Sequence, residues 1–219
     1  MKYETERREI VKACQDMNRR GINQGTSGNI SVRVKEGFLL TPSGMAYDEM
    51  KAGDIVLMRP DASHTGKRKP SSEWRFHHAL MTSRPEVGSV VHTHSMFATT
   101  LSCLGLEIPA VHYMIAAAGG DTIRCASYAT YGTQETADNA VKALQDRNAC
   151  LLANHGMIVV GPTLKKAMWL AVEVETLAAQ YWRALQVGKP NILPKAEVNR
   201  VIDKFKTYGQ AKEPAPVCC

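Results

Sequence analysis

Val90-Val91-His92-Thr93-His94-Ser95 is a short apolar run that ends in two histidines one residue apart. In an extended strand successive side chains point to opposite faces, so His92 and His94 share a face. Two imidazoles side by side can clamp a metal ion; a lone His-x-His can equally be a solvent-facing polar pair on a half-buried strand. This pair does not stand alone. A third histidine, His155, lies in Leu152-Ala153-Asn154-His155-Gly156-Met157, between two apolar runs and directly before a glycine that permits a sharp turn. A carboxylate, Glu73, lies in Pro70-Ser71-Ser72-Glu73-Trp74, which reads as the start of a helix. Three neutral imidazoles and a carboxylate form a ligand set suited to zinc, with the carboxylate able to leave the ion and carry a proton. The remaining sequence reads as what brings these four together.

Around this centre three turns of small residues recur. Gly25-Thr26-Ser27-Gly28-Asn29 leads into the alternating strand Ile30 to Arg33, Thr41-Pro42-Ser43-Gly44 follows the strand Phe38 to Leu40, and Ser71-Ser72 precedes Glu73. Glycine-rich turns and helix N-termini expose backbone N–H groups that bind anions, and the hydroxyls add partners. A plain helix-to-strand turn is the other reading of the first. Ser71 and Ser72 are suitable N-caps for a helix carrying Phe76, His77, Leu80 and Met81 at helical spacing. His77 falls on the face of Glu73, where it is either a core or surface histidine or a support for the metal site.

Helical periodicity also marks Ile10, Val11, Cys14 and Met17, stopped at Gly21; Met96, Phe97, Thr100 and Leu101; and Ala137, Ala140, Val141 and Leu144 after Gly132-Thr133. Pro162-Thr163 opens the longest amphipathic segment, Leu164 to Val187, with Met168, Ala171, Val174, Ala178, Tyr181 and Leu185 on its apolar face. A short helix is expected between Pro194 and Gly209.

The 219 residues suffice for one core, and a hydrophobic fraction of 44% with 22% charged residues is that of a globular domain. We expect one domain over 1–210 and a flexible tail over 211–219. The net charge of +6 is dispersed. Its densest cluster, Lys67-Arg68-Lys69, reads as a solvated loop, so no nucleic-acid partner is expected, while an anionic small substrate is favoured. No apolar run approaches the ~20 residues of a membrane span, and the polar start is not a signal peptide; no membrane partner and a cytoplasmic location are expected. The six cysteines show no Cys-x-x-Cys spacing and read as thiols, Cys218-Cys219 included.

The sequence resembles the class II aldolase family, which includes L-fuculose-1-phosphate aldolase, L-ribulose-5-phosphate 4-epimerase and the adducin head. Five stretches carry the resemblance in order: Gly25-Thr26-Ser27-Gly28-Asn29, Thr41-Pro42-Ser43-Gly44, Ser71-Ser72-Glu73, His92-Thr93-His94 and Asn154-His155-Gly156. It implies an α/β fold, a single domain with a central, mainly antiparallel sheet of nine strands flanked by helices, assembled as a homotetramer with interfacial active sites. It further implies Zn2+ (or Mn2+ or Co2+) on His92, His94 and His155, with Glu73 as acid/base and additional ligand. The phosphate pocket maps onto Thr26, Gly28, Asn29, Ser43, Gly44, Ser71 and Ser72, and a proton-donating tyrosine from the adjacent subunit onto Tyr113.

The implied activity is retro-aldol cleavage of a ketose 1-phosphate to dihydroxyacetone phosphate and an aldehyde. L-Fuculose, 5-deoxyribulose and 5-methylthioribulose 1-phosphates are the substrates considered, and Tyr131, Phe205 and Tyr208 are the residues expected at the substrate's tail. Epimerisation or sugar-phosphate dehydration is the alternative on the same scaffold, and an adducin-like binding protein the non-catalytic one. The aspartate of the epimerase branch is absent beside Tyr113.

Overall fold

The computed structural model describes residues 1–207. Helix α1 (Glu4–Arg19) leads to four strands, β1 (Asn29–Val34), β2 (Gly37–Leu40), β3 (Val56–Met58) and β4 (His64–Thr65). Helix α2 (Trp74–Ser83), β5 (Ser89–Thr93) and α3 (Met96–Cys103) come next, then β6 (Ile108–Pro109), a 3-10 helix (Tyr113–Ala118) and β7 (Thr122–Ala126). Helix α4 (Gln134–Ala143) precedes the hairpin β8 (Ala149–Leu152) and β9 (Gly156–Gly161), and α5 (Leu164–Val187) and α6 (Lys195–Phe205) end the described chain. The strands form one nine-stranded sheet in the order β4-β3-β2-β1-β5-β9-β8-β7-β6. All neighbours are antiparallel except β7 and β8. This is the mainly antiparallel α/β architecture expected from the sequence.

Strand β5 is central and buried along its whole length. Its residues alternate between two cores. Val91 joins Ile30, Leu39 and Val159 on the face covered by α1, α3, α5 and α6, while Val90 joins Leu40, Ile158 and Val160 on the face covered by α2 and α4. The period of two thus sends His92 toward α2, where its ring meets Phe76 edge-on. Antiparallel pairing sets Asn29 of β1 opposite His92, and Ile158 of β9 on the other side. Among the described residues no helix is long and apolar enough to cross a membrane.

Several local expectations need correction. Helix α2 starts at Trp74 with Glu73 as N-cap, one or two residues later than capping by Ser72 or Ser71 implied. The Ser71 hydroxyl accepts the Glu73 amide (3.3 Å) in a turn ahead of the helix. In α3 the buried face is Ala98, Leu101 and Ser102, and Met96 stands in solvent. Leu185 is on the exposed end of α5, whose buried face is instead carried by Ala167, Leu170 and Leu177 alongside Ala171, Val174 and Ala178. The glycine stop at Gly21 (φ +70°) and the Thr133 and Thr163 caps, which accept Thr136 and Lys166 amides, agree with the sequence. Lys67, Arg68 and Lys69 are exposed.

The start of α3 is capped from a distance. Ser95 makes no side-chain cap bond, and the Glu175 carboxylate of α5 accepts the Phe97 and Ala98 amides at 2.8 and 2.9 Å. These are two of the orphan N–H groups of the helix, and a negative charge there is favoured by the aligned peptide dipoles. Glu175→Ala is expected to lower the unfolding free energy by about 2 kcal/mol, the cost of losing a charged cap. Urea titration checks this; Glu175→Gln, which keeps an acceptor, should lose less.

Candidate metal centre and anion cavity

Each of the four groups singled out in the sequence arrives on a different support. His92 lies next to the last residue of β5 and His94 follows the strand directly, while His155 closes the three-residue turn between β8 and β9 and Glu73 sits at the N-terminus of α2. Their ligand atoms all lie within 4.8 Å of one another. The Nε2 atoms of His92 and His94 are 3.0 Å apart, and Glu73 places Oε2 3.2 Å from His92 Nε2 and Oε1 3.1 Å from His155 Nε2.

The turn that presents His155 works differently from the sequence expectation. Asn154, not Gly156, takes the left-handed conformation (φ 55°), and Gly156 already belongs to β9. The glycine is needed for space: a Cβ there would lie 2.5 Å from the Thr93 carbonyl oxygen and 3.0 Å from the His94 ring. Gly28 has the same role on the other side, since a Cβ would meet the His92 carbonyl oxygen at 2.7 Å. Gly28 therefore allows close backbone approach beside the candidate anion turn.

The donor set fits a divalent cation. His92 Nδ1 lies 2.9 Å from the Met157 carbonyl, an acceptor, so this nitrogen carries the proton and Nε2 turns its lone pair toward His94. Glu73 Oε1 is buried without a hydrogen bond. Lone pairs and a carboxylate oxygen converging in a buried place repel one another unless a positive charge lies between them. Burial and the neighbouring His92 and His155 push the His94 pKa down to about 4, so its imidazole is neutral and available as a ligand. Burial opposes ionisation of Glu73, but the facing His92 and His155 outweigh it and hold the carboxyl below its ordinary value.

Beside this cluster opens a cavity of about 350 Å³ lined by Thr26, Ser27, Ser43, Gly44, Ser72, Glu73, His94, Tyr128, Ala129, Tyr131, Asn154 and His155. The three small-residue turns are stitched together at its edge. Thr41 Oγ1 accepts the Ile30 amide, the Thr41 carbonyl accepts the Ser71 amide, and the Lys69 carbonyl accepts the Ser43 amide. Asn29 and Ser71 lie buried behind Glu73, Asn29 donating to Oε2 at 2.9 Å. Tyr131 lines the cavity. Tyr113 is half exposed on its 3-10 helix and is not among the lining residues; Phe205 is half-buried on α6 against the larger core, also apart from this cavity. Tyr208 lies outside the described residues, as do the 211–219 tail and Cys218-Cys219.

Ser27, read with Thr26 and Asn29 as a side-chain partner for an anion, is in the lining; sequence reading missed Tyr128, Ala129 and Asn154, although Asn154 falls inside a motif already quoted. It also missed Asn23, whose Oδ1 accepts both the Ser27 hydroxyl (3.2 Å) and the His94 amide (3.3 Å). An asparagine in a polar stretch gave no signal of that.

Comparison with known proteins bears on this constellation. Residues 8–182 match the family described as Class II Aldolase and Adducin N-terminal domain. The chain belongs to this family. Among its class II aldolase relatives, the chain is 53% identical over 208 residues to a 5-methylthioribulose-1-phosphate/5-deoxyribulose-1-phosphate aldolase of Rhodospirillum rubrum, covering 94% of each chain. It is 47% identical over 203 residues to the L-fuculose phosphate aldolase of Escherichia coli K12, covering 92% of this chain and 94% of the relative. A solved L-fuculose 1-phosphate aldolase structure superposes with a TM-score of 0.89 at 40% identity, covering 91% of this chain and 95% of the other.

The suppressed basicity of His94 sets an acid sensitivity. Below the ordinary histidine value of 6.5 the unfolded chain takes up a proton that folded His94 refuses until about pH 4. The unfolded state then binds more protons, so stability falls as pH falls. His77, pushed down to about 3 by burial, acts in the same direction. Glu73 contributes only below its ordinary 4.5. The metal-free protein should therefore show urea midpoints that decline between pH 6.5 and 4.5, with a shallower decline in His94→Gln.

Proposed function

We propose that this protein is a divalent-metal-dependent aldolase that reversibly cleaves a ketose 1-phosphate to dihydroxyacetone phosphate and an aldehyde. The observation that carries this reading is the meeting of His92, His94, His155 and Glu73 at a cavity edged by hydroxyl- and amide-bearing turns. The aldolase names of the relatives, which match over nearly their whole length, support it. Zn2+ is the ion we favour for three neutral imidazoles and a carboxylate, with Mn2+ or Co2+ as alternatives. When bound, such an ion supplies Lewis acidity that polarises the substrate carbonyl and eases development of negative charge on its oxygen.

The chain's own residues do the rest. Thr26, Ser43, Gly44 and Ser72, backed by Asn29 and Ser71, hold the phosphate, so that binding energy remote from the breaking carbon–carbon bond orients the sugar. Glu73 takes and returns the proton at the carbon adjacent to the carbonyl, and is suited to this because it lies at the cavity and retains an oxygen without a hydrogen bond. Tyr113 is assigned the proton on the aldehyde oxygen of a neighbouring copy's substrate, in a cytoplasmic homotetramer with interfacial sites; its half-exposed position apart from its own chain's cavity supports that assignment.

Tyr128 and Tyr131, both largely exposed at the cavity, face the substrate's far end. Two aromatic rings favour an apolar tail. The 5-methylthio and 5-deoxy substrates are therefore preferred to L-fuculose 1-phosphate, in keeping with the activity named for the R. rubrum relative.

Three ketose 1-phosphates offered side by side to zinc-loaded protein, with coupled detection of dihydroxyacetone phosphate, test the reaction. Release that stops on chelation and ranks the apolar tails first is expected. An isomeric pentulose phosphate without any triose phosphate would move the assignment to epimerisation. Glu73→Gln should lower kcat at least about a hundredfold with the fold retained. Tyr131→Ala should narrow the difference between tails. Tetramers refolded from equal amounts of inactive Glu73→Gln and Tyr113→Phe chains should regain activity, since about a quarter of their sites draw both intact residues. No regain would place Tyr113 outside the neighbour's site.

A further inference from the structure

His77 is wholly buried on α2, one turn after Glu73, and is not among the residues lining the cavity. Both its ring nitrogens are engaged. Nδ1 is 2.7 Å from the Ser31 hydroxyl and Nε2 is 2.6 Å from Asn29 Oδ1; the Asn29 amide nitrogen donates in turn to Glu73 Oε2 at 2.9 Å. The directions of these bonds are linked. A carboxylate only accepts, so the Asn29 NH2 must face Glu73 and its carbonyl oxygen must face His77. His77 then donates from Nε2, and Nδ1 accepts from Ser31. Every member of the chain is buried.

We propose that His77 is a positioning residue of this site. Through Asn29 it fixes the plane of the Glu73 carboxylate and makes Oε2 the tethered oxygen, leaving Oε1 uncommitted to the tether. Burial alone requires that both ring nitrogens find partners; what marks His77 is that one of its two bonds continues through Asn29 to the one carboxylate of the cluster, while the other, to Ser31, sets its tautomer. The chain also joins the two elements that must agree on the site: Asn29 stands opposite His92 in the sheet, and His77 rides on the helix that carries Glu73. Asn29 alone, with a free amide rotor, would not define which oxygen it binds.

The proposal rests on the aldolase reading for its rate consequences but not for its geometry, so two measurements are paired. His77→Phe keeps a ring of similar shape and removes both bonds; His77→Gln keeps an amide donor for Asn29. At equal metal content, His77→Phe should lower kcat about tenfold to a hundredfold with KM within about twofold, and His77→Gln should recover much of the loss. The visible absorption of Co2+-loaded protein should shift in His77→Phe, as the carboxylate leaves its tethered position, and move back toward the parent in His77→Gln. Parental kcat and an unchanged Co2+ spectrum in folded His77→Phe overturn the proposal. If the parent cleaves no ketose 1-phosphate, the aldolase reading fails and the Co2+ spectra alone decide: a shift sustains the positioning role and its absence removes it. Should His77→Phe not fold, Ser31→Ala, which frees the tautomer, takes its place with an expected loss of about threefold to tenfold in kcat and the same spectral readout.

Discussion

Mutual repulsion within a buried cluster is the constraint around which this molecule is arranged. Imidazole lone pairs and a carboxylate that converge in a buried place need a positive charge between them, a proton or a cation, and the chain must hold them together by other means. It does so by committing a strand that is protected on every side. β5 is hydrogen-bonded on both sides, to β1 and β9, and packed on both faces. A one-residue slip against either neighbour would turn His92 into the opposite core and lift Asn29 away from it. The hydrophobic alternation of Val90 and Val91 thus defends the register of the candidate metal ligands as well as the packing of the two layers.

The supports around the strand follow from that commitment. Gly28 and Gly156 remove side chains where the flanking turns crowd the end of β5, and Asn154 bears the left-handed backbone that swings His155 inward. Glu175 anchors the start of α3 directly after His94, and Asn23 ties the His94 amide to the first hydroxyl-bearing turn. Each removes a degree of freedom from one of the clustered groups or its neighbour. The entropy cost is met locally, in bonds made on folding, so less ordering remains to be done when a substrate arrives.

The sequence was legible where the signal is local. His-x-His at the end of an apolar run, small-residue turns and helical stripes such as Ile10, Cys14 and Met17 depend on spacing within a few residues, and the resemblance extended them to the sheet and the ligand set. What escaped depends on partners far along the chain. Asn29 and Glu73 meet across 44 residues, and Phe97 and Glu175 across 78. No periodicity encodes such pairs. His77 could be placed on the Glu73 face from its spacing, but the bonds to Ser31 and Asn29 that give it meaning are tertiary. The exposure of Met96 has the same origin, a helix face chosen by α5 rather than by its own composition. The offset start of α2 is instead local, the Ser71 hydroxyl accepting the Glu73 amide two residues on.

The order of strands also has a consequence for a chain emerging from the ribosome. His92 bonds to Met157 across 65 residues, and β9 is the second neighbour that β5 requires. Until Gly156–Gly161 has been made, the central strand of the finished sheet can have only β1 beside it and is an apolar edge open to other chains. His155 arrives on the same hairpin that closes that edge. Synthesis therefore delivers the last imidazole of the cluster and the second neighbour of β5 together.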